Sequence, residues 1–229
     1  TALMLILGKS AHRLSIDIDL ICPPGTNIED YLKSFADFGF INLELVERKQ
    51  RDDADIPKSH SKFFYQIAYR NDTDAQSYIL LDVLYEDIHY FRTQQIAIDC
   101  PFIRLEGKPL MVTVPSAEDI LGDKLTAFAP NTTGIPYYKN GRSCSMEIAK
   151  QLYDVGRLFE NVSDLQITKE AFRKIAVVEL SYRSFGTDIG QVFNDIRQTA
   201  LCISTRGKAG EGDFDLIQDR SEEHTSELQ

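Results

Sequence analysis

The segment Ser15-Ile16-Asp17-Ile18-Asp19-Leu20 alternates acidic and aliphatic residues with a period of two, the period of an extended strand. On a strand this spacing puts the carboxylates of Asp17 and Asp19 on one face, with alpha carbons roughly 6.5–7 Å apart, and turns Ile16, Ile18 and Leu20 toward a core. Two carboxylates placed this way grip one divalent cation or bridge two. Mg2+ suits them: it prefers oxygen ligands at about 2.0–2.1 Å and commonly takes only one or two carboxylates, completing its shell with water and substrate phosphates. The plainer alternative is an exposed polar face on an edge strand. A third acid, Asp82, interrupts the otherwise apolar run Tyr78-Ile79-Leu80-Leu81-Asp82-Val83-Leu84-Tyr85. An unpaired carboxylate is expensive to bury in a central strand, so Asp82 either joins the other two acids at metal or faces solvent from a sheet edge. Strand acids around metal are the arrangement with which phosphoryl and nucleotidyl transfer stabilise the attacking and leaving oxygens.

The elements that would position these acids are legible as shifts of period. Ser15 to Cys22 reads as a strand ended by Pro23-Pro24-Gly25, and strand-like runs follow at Asn42 to Arg48, Lys62 to Tyr69 and Tyr78 to Tyr85. Ala2 to Leu7 reads as a short helix capped by Thr1 and closed by Gly8, and Asn27 to Phe38 carries Ile28, Tyr31, Leu32, Phe35 and Phe38 at helical spacing with Gly39 as the stop. After Val112-Thr113-Val114-Pro115 the pattern changes. Ser116-Ala117-Glu118-Asp119 opens a helix, Ile120, Leu121, Lys124, Leu125 and Phe128 continue it at period 3.6, and helical patterns run to about Gln198 around a loop from Pro130 to Arg142. The fold class expected is α/β: a mixed-sheet core over residues 1–115 followed by a helical half over residues 116–219, with the boundary near Pro115.

Composition bounds the chemistry. With 43% hydrophobic and 26% charged residues, the 229-residue chain is an ordinary globular protein. No apolar run approaches the roughly 20 residues of a bilayer span, and Thr1 to Leu7 lacks the basic start of a signal peptide, so neither membrane nor export is expected. The formal charge of -10 argues against coating of nucleic acid but leaves room for contact with an RNA end. Cys22, Cys100, Cys144 and Cys202 lie far apart with no metal-ligand spacing, which reads as isolated thiols in a reducing cytoplasm. His12, His60 and His89 have no partner spacing for nucleophilic catalysis, and Arg48-Lys49-Gln50-Arg51 reads as a solvated turn rather than an RNA patch. The chain starts at Thr1 without an initiator Met, so upstream residues are expected to be missing. Arg220 to Gln229 resembles a sequencing adapter translated in one frame; it is expected to be an artefactual tail, and His224 is not read as part of a site.

Thr1-Ala2-Leu3, Gly8, Arg13-Leu14-Ser15-Ile16-Asp17-Ile18-Asp19-Leu20, Asp123-Lys124-Leu125-Thr126-Ala127 and Lys150-Gln151-Leu152-Tyr153-Asp154-Val155 resemble, in order and spacing over roughly residues 1 to 160, successive motifs of the AbiEii/AbiGii-toxin nucleotidyltransferases. The family's opening motif is Gly-Gly-Thr/Ser, so Thr1 corresponds to its third member. The resemblance implies that Thr1 and Ser15 lie along the nucleotide phosphates, offering backbone NH groups and hydroxyls. It implies that Asp17 and Asp19 hold Mg2+, and that Lys124, matching a Lys-x-x-Ala lysine, offsets charge on the triphosphate. Asp154 matches the acid of a Tyr-Asp-Leu-like motif and would orient Lys124 or serve as a base near the acceptor. Asp82 fits the third metal acid of the broader nucleotidyltransferase fold. The plain alternatives are a helix-surface acid at Asp154 and a solvated helix lysine at Lys124, whose removal would change stability by about 0.5 kcal/mol or less.

One departure stands out: where the family often has Arg or Lys followed by Asp, this chain has Lys150-Gln151. Lys139 and Arg142 in the preceding loop would either supply positive charge to a nucleotide or an RNA end or simply be solvated. Taken whole, the resemblance implies transfer of a nucleoside monophosphate from an NTP to an acceptor hydroxyl, in a cleft between the two halves. It further implies an RNA or tRNA acceptor and a cognate antitoxin protein, in a toxin-antitoxin or abortive-infection system. Two other classes stay open: a nucleotide- or antitoxin-binding module without turnover, and a nucleotidyltransferase acting on a small molecule such as an antibiotic.

Overall fold

The computed structural model describes residues 2–8, 17–45, 58–66, 76–101, 104–183, 186 and 188–218. Arg220 to Gln229 and the Arg48-Lys49-Gln50-Arg51 stretch lie outside the described residues. The chain divides into two compact units, Thr1–Ile88 with Cys100–Arg104, and His89–Asp99 with Leu105–Gln229.

In the first unit, β1 (Asp17–Cys22), β2 (Asn42–Leu45), β3 (Lys58–Gln66) and β4 (Gln76–Tyr85) form one sheet in the order β1-β4-β3-β2. β1 runs parallel to β4 while the other two pairings are antiparallel, so the sheet is mixed. Alternation along β3 and β4 turns Phe63, Leu81 and Val83 into a cluster with Ile28, Leu32, Phe35, Phe40 and Leu43. The short helix α1 (Ala2–Leu7) forms as its pattern indicates, with Gly8 beyond its last residue at φ +50, where glycine avoids the cost of a side chain. Met4 and Leu7 of α1 pack with Cys100.

The single helix expected over Asn27 to Phe38 is two shorter pieces. α2 (Glu29–Leu32) and a 3-10 turn (Phe35–Phe38) flank Ser34, whose φ -97 and ψ 20 lie outside the helical region. Ile28, Leu32 and Phe35 all reach the sheet cluster, while Tyr31 and Phe38 are left 74% and 77% exposed. Gly39, at φ 85, ends the segment where the sequence places the stop.

The second unit opens ahead of Pro115 with an antiparallel pair, β5 (Thr93–Ala97) and β6 (Met111–Pro115). Four long helices follow: α3 (Ala117–Ala127), α4 (Ser145–Phe159), α5 (Leu165–Ser181) and α6 (Ile189–Ser204). Between α3 and α4, β7 (Tyr138–Lys139) and β8 (Arg142–Ser143) form a hairpin turned by Asn140 and Gly141, both at positive φ, the pairing that a two-residue primed turn requires. The protein is thus a mixed α/β fold with a mixed-sheet core and its helices gathered in the C-terminal half.

Helix α3 is fixed at both ends and along its length. The Ser116 hydroxyl accepts from the Asp119 N–H at 3.1 Å and donates to the Asp119 carboxylate at 2.7 Å, a reciprocal cap. Asp119 is fully buried and also accepts from the backbone N–H groups of Phe91 and Arg92, at 2.7 and 3.0 Å, tying the segment ahead of β5 to the helix. Glu118 accepts from the N–H and hydroxyl of Ser163; burial acts to raise its carboxyl, but these hydrogen bonds prevail and hold it below its ordinary value.

Along its length α3 lies against α5 at Gly122, where an added Cβ would sit 2.7 Å from the Phe172 nitrogen and 2.8 Å from the Ala171 Cβ. Phe172 belongs to a core with Ala129, Ala176, Leu180 and Val192, and Ala171 is fully buried, so α5 has little slack to give. Gly122→Ala is therefore expected to lower stability by about 1–3 kcal/mol although alanine is the better helix former, because overpacking outweighs propensity. Thermal unfolding of the variant reads this directly, and an unchanged midpoint would show that the two helices separate at no cost.

Candidate active site

The acids of the first unit sit on two neighbouring strands. Among the described residues β1 stands at the edge of the sheet, whereas β4 is flanked by β1 and β3. In the parallel register Asp17 lies opposite Leu80 and Asp19 lies opposite Asp82. Register partners share a sheet face, as do residues two apart on one strand, so Asp17, Asp19 and Asp82 occupy one face. The other face of β4 carries Leu81 and Val83 into the core. The edge placement weighed for Asp82 is therefore not the one found, and the apolar run around it marks an inner strand as its composition suggests.

Asp17 and Asp19 are exposed and Asp82 is half-buried. Ile18 and Leu20 keep 37% and 40% exposure, less buried than their alternation suggests; among the described residues β1 has a sheet neighbour on one side only. His60 holds the register position on β3 opposite Asp82. Thr1 and Ser15 lie outside the described residues, as does His12.

Among the described residues no group of three or more His, Cys, Asp or Glu is placed to hold a metal ion unaided. The donor chemistry nevertheless fits Mg2+. Two exposed carboxylates on one strand face are hard oxygen donors, and this ion takes one or two such ligands and fills its shell with phosphate oxygens and water.

The second unit brings together three side chains of its own. Lys124 Nζ on α3 lies 3.2 Å from Asp154 Oδ2 on α4 and donates to Gln151 Oε1 at 3.1 Å. Gln151 and Asp154 are three residues apart on α4, so they share one helix face. The Asp154 side chain is fully buried and that of Lys124 is 25% exposed. A buried carboxylate stays charged at acceptable cost only beside a counter-charge, which Lys124 supplies. Neither plain alternative survives: Lys124 is not a solvated helix lysine and Asp154 is not a surface acid. An ammonium carries three N–H donors and no acceptor; one is donated to Gln151, and Asp154 faces the charge as its ion-pair partner. Among the described residues no other hydrogen-bond acceptor takes an N–H of Lys124, and solvent still reaches the side chain.

The residue next to Lys124, Asp123, accepts from the Tyr90 hydroxyl at 3.2 Å, so Asp119 and Asp123 together clasp residues 90–92 against α3. Lys139 and Arg142 stand on the β7–β8 hairpin, where with Ser143, Cys144 and Glu147 they line a cavity of about 510 Å³. Sequence reasoning gave Gln151, Asp119 and Tyr90 no part in a site. Gln151 was within reach, because its spacing to Asp154 on a helix already predicts a shared face. The contacts of Asp119 with Phe91 and Arg92, and of Tyr90 with Asp123, depend on tertiary packing across 27 to 33 residues and leave no local mark.

All four cysteines are free thiols, Cys100, Cys144 and Cys202 buried and Cys22 partly so. Among the described residues no helix is long and apolar enough to cross a membrane. A search of curated proteins finds no match to this chain. The family model for the nucleotidyl transferase AbiEii toxin of type IV toxin-antitoxin systems matches residues 1–226, and so runs on into the segment read as adapter-derived. Membership of that family carries a nucleotide substrate and an antitoxin partner with it. Strand acids on one face of a mixed sheet and a lysine anchored by a buried aspartate are in keeping with a match over nearly the whole chain, and the protein belongs to the AbiEii nucleotidyl transferase toxin family of type IV toxin-antitoxin systems.

Proposed function

We propose that this protein transfers a nucleoside monophosphate from an NTP to an acceptor hydroxyl on an RNA such as tRNA, releasing pyrophosphate, with Mg2+ held by Asp17 and Asp19. The observation that carries the reading is the shared face of Asp17, Asp19 and Asp82 across β1 and β4. Carboxylates crowded on one face repel one another, and a divalent cation relieves that repulsion while giving the phosphates a second point of attachment. When bound, Mg2+ supplies charge stabilisation to the phosphoryl oxygens. Asp82, next to Asp19 in the register, adds a third carboxylate to that face.

Lys124 offsets triphosphate charge with the N–H that Asp154 and Gln151 leave to it. Asp154 acts by orienting Lys124 rather than as a base, because its buried carboxylate is committed to the ammonium. Thr1 and Ser15 add hydroxyls and backbone NH groups along the phosphates. The net charge of -10 favours contact with one RNA end over contact along an RNA backbone, and free thiols suit a cytoplasmic protein.

Incubation with each α-phosphate-labelled NTP, total RNA and Mg2+ tests this, using the chain and a form carrying Gly-Gly ahead of Thr1. Label entering RNA of tRNA size, with stoichiometric pyrophosphate and complete loss in EDTA, is the expected result. Absence of label from RNA with both forms would overturn the RNA acceptor. Absence of pyrophosphate release, whatever the acceptor offered, would overturn turnover and leave a binding module.

A further inference from the structure

We infer that Gln151 is a positioning residue for Lys124, one that keeps the Lys124–Asp154 pair electrically neutral as a group and aims the remaining lysine N–H at an anionic phosphate. This rests on the reading of Lys124 as a triphosphate-binding side chain. The side chain at residue 151 is a neutral amide.

The geometry fixes which end of the amide faces the lysine. An ammonium donates and never accepts, so the Gln151 oxygen, not its NH2 group, faces Nζ at 3.1 Å. Asp154 stands on the same helix face one turn further on as the ion-pair partner, 3.2 Å from Nζ. A lysine head held by one hydrogen bond and one ion pair loses the freedom to swing, and the N–H bonds that it does not donate to Gln151 are thereby given a direction. A lone Asp154 would leave the ammonium free to rotate about a single contact.

Charge adds a second consequence. Lys124 and Asp154 carry opposite charges and Gln151 carries none, so these three side chains together sum to neutrality. A carboxylate at residue 151 would keep the acceptor but give the group a net negative charge, and at a few ångströms in a partly buried setting that charge acts on an anion with little screening. Gln151 is half-buried, so a glutamate there is sterically acceptable.

The test uses inorganic tripolyphosphate, pyrophosphate and monophosphate as probes, titrated calorimetrically into wild type, Gln151→Glu and Gln151→Met, with melting of all three proteins alongside. Wild type should bind tripolyphosphate. Gln151→Glu should weaken that binding on the order of tenfold or more, pyrophosphate less and monophosphate least, because the repulsion grows with ligand charge. Gln151→Met, which removes the acceptor without adding charge, should weaken tripolyphosphate by only about two- to fivefold. Equal binding by wild type and Gln151→Glu would overturn the inference while the nucleotide reading stands. A loss of equal size for all three probes, or one matched by a drop in melting temperature, would also overturn it, since a merely structural role predicts no dependence on ligand charge. Failure of wild type to bind any of the three would overturn the triphosphate role of Lys124 itself, and the inference with it.

Discussion

Lys124→Ala is expected to lower nucleotidyl transfer by about 100- to 1000-fold, the usual cost of removing one preorganised charge partner from a transferring phosphoryl group. It is also expected to lower stability by about 1–3 kcal/mol, several times what an exposed helix lysine would cost, because it takes the Lys124 counter-charge away from a fully buried carboxylate. The quarter of the Lys124 side chain that solvent reaches keeps the loss below that of a fully enclosed pair. Pairing Lys124→Met with Asp154→Leu separates the two effects. The double variant removes both charges and should recover most of the lost stability while transfer stays as low as in Lys124→Ala. Lys124→Arg should rescue transfer poorly, since a planar fork is not a substitute for a compact ammonium seated between two acceptors. Melting curves and transfer rates, taken well below the melting midpoint, check both arms. Near-normal transfer by Lys124→Ala would reduce Lys124 and Asp154 to a structural ion pair.

The second large effect is expected at the strand acids, with the opposite signature on stability. Asp17 and Asp19 are exposed, so replacing either with Asn removes charge at nearly constant volume and should change stability by only about 0.5 kcal/mol. Transfer should fall by roughly three orders of magnitude, which corresponds to the several kcal/mol of charge stabilisation that a bound divalent ion supplies. Asp82→Asn should cost less, because Asp82 is the more buried of the three and joins the face from the neighbouring strand. A loss of transfer with an intact melting transition is the pattern to look for in Asp17→Asn and Asp19→Asn.

How much of this was legible depended on whether the signal was local. The period-two alternation of Asp17 and Asp19 and the apolar run around Asp82 are properties of single strands, and both strands form where those patterns place them. The Ser116 cap and the stop at Gly39 are equally local. The register that sets Asp19 beside Asp82 is a property of the pairing between β1 and β4, and no feature of either strand alone fixes it. β5 was not read because Thr93-Gln94-Gln95 is polar and its exposed, unalternating positions owe their extension to pairing with β6. The β7–β8 hairpin did leave a signal, since Asn140-Gly141 is the dipeptide that a two-residue primed turn favours, but its strands are too short to carry a period. The environment of Lys124 was the hardest part. Helical spacing places it on α3 without distinguishing solvent from a neighbouring helix, and its partner Gln151 lies 27 residues away.

The most direct measurement is incorporation of an α-phosphate label from NTP into RNA by wild type and by Asp19→Asn, compared across a Mg2+ titration with melting confirmed equal. The account predicts Mg2+-dependent labelling by wild type and none above background by Asp19→Asn at any Mg2+ concentration. Labelling by Asp19→Asn at the wild-type rate, or wild-type labelling indifferent to Mg2+, would contradict it.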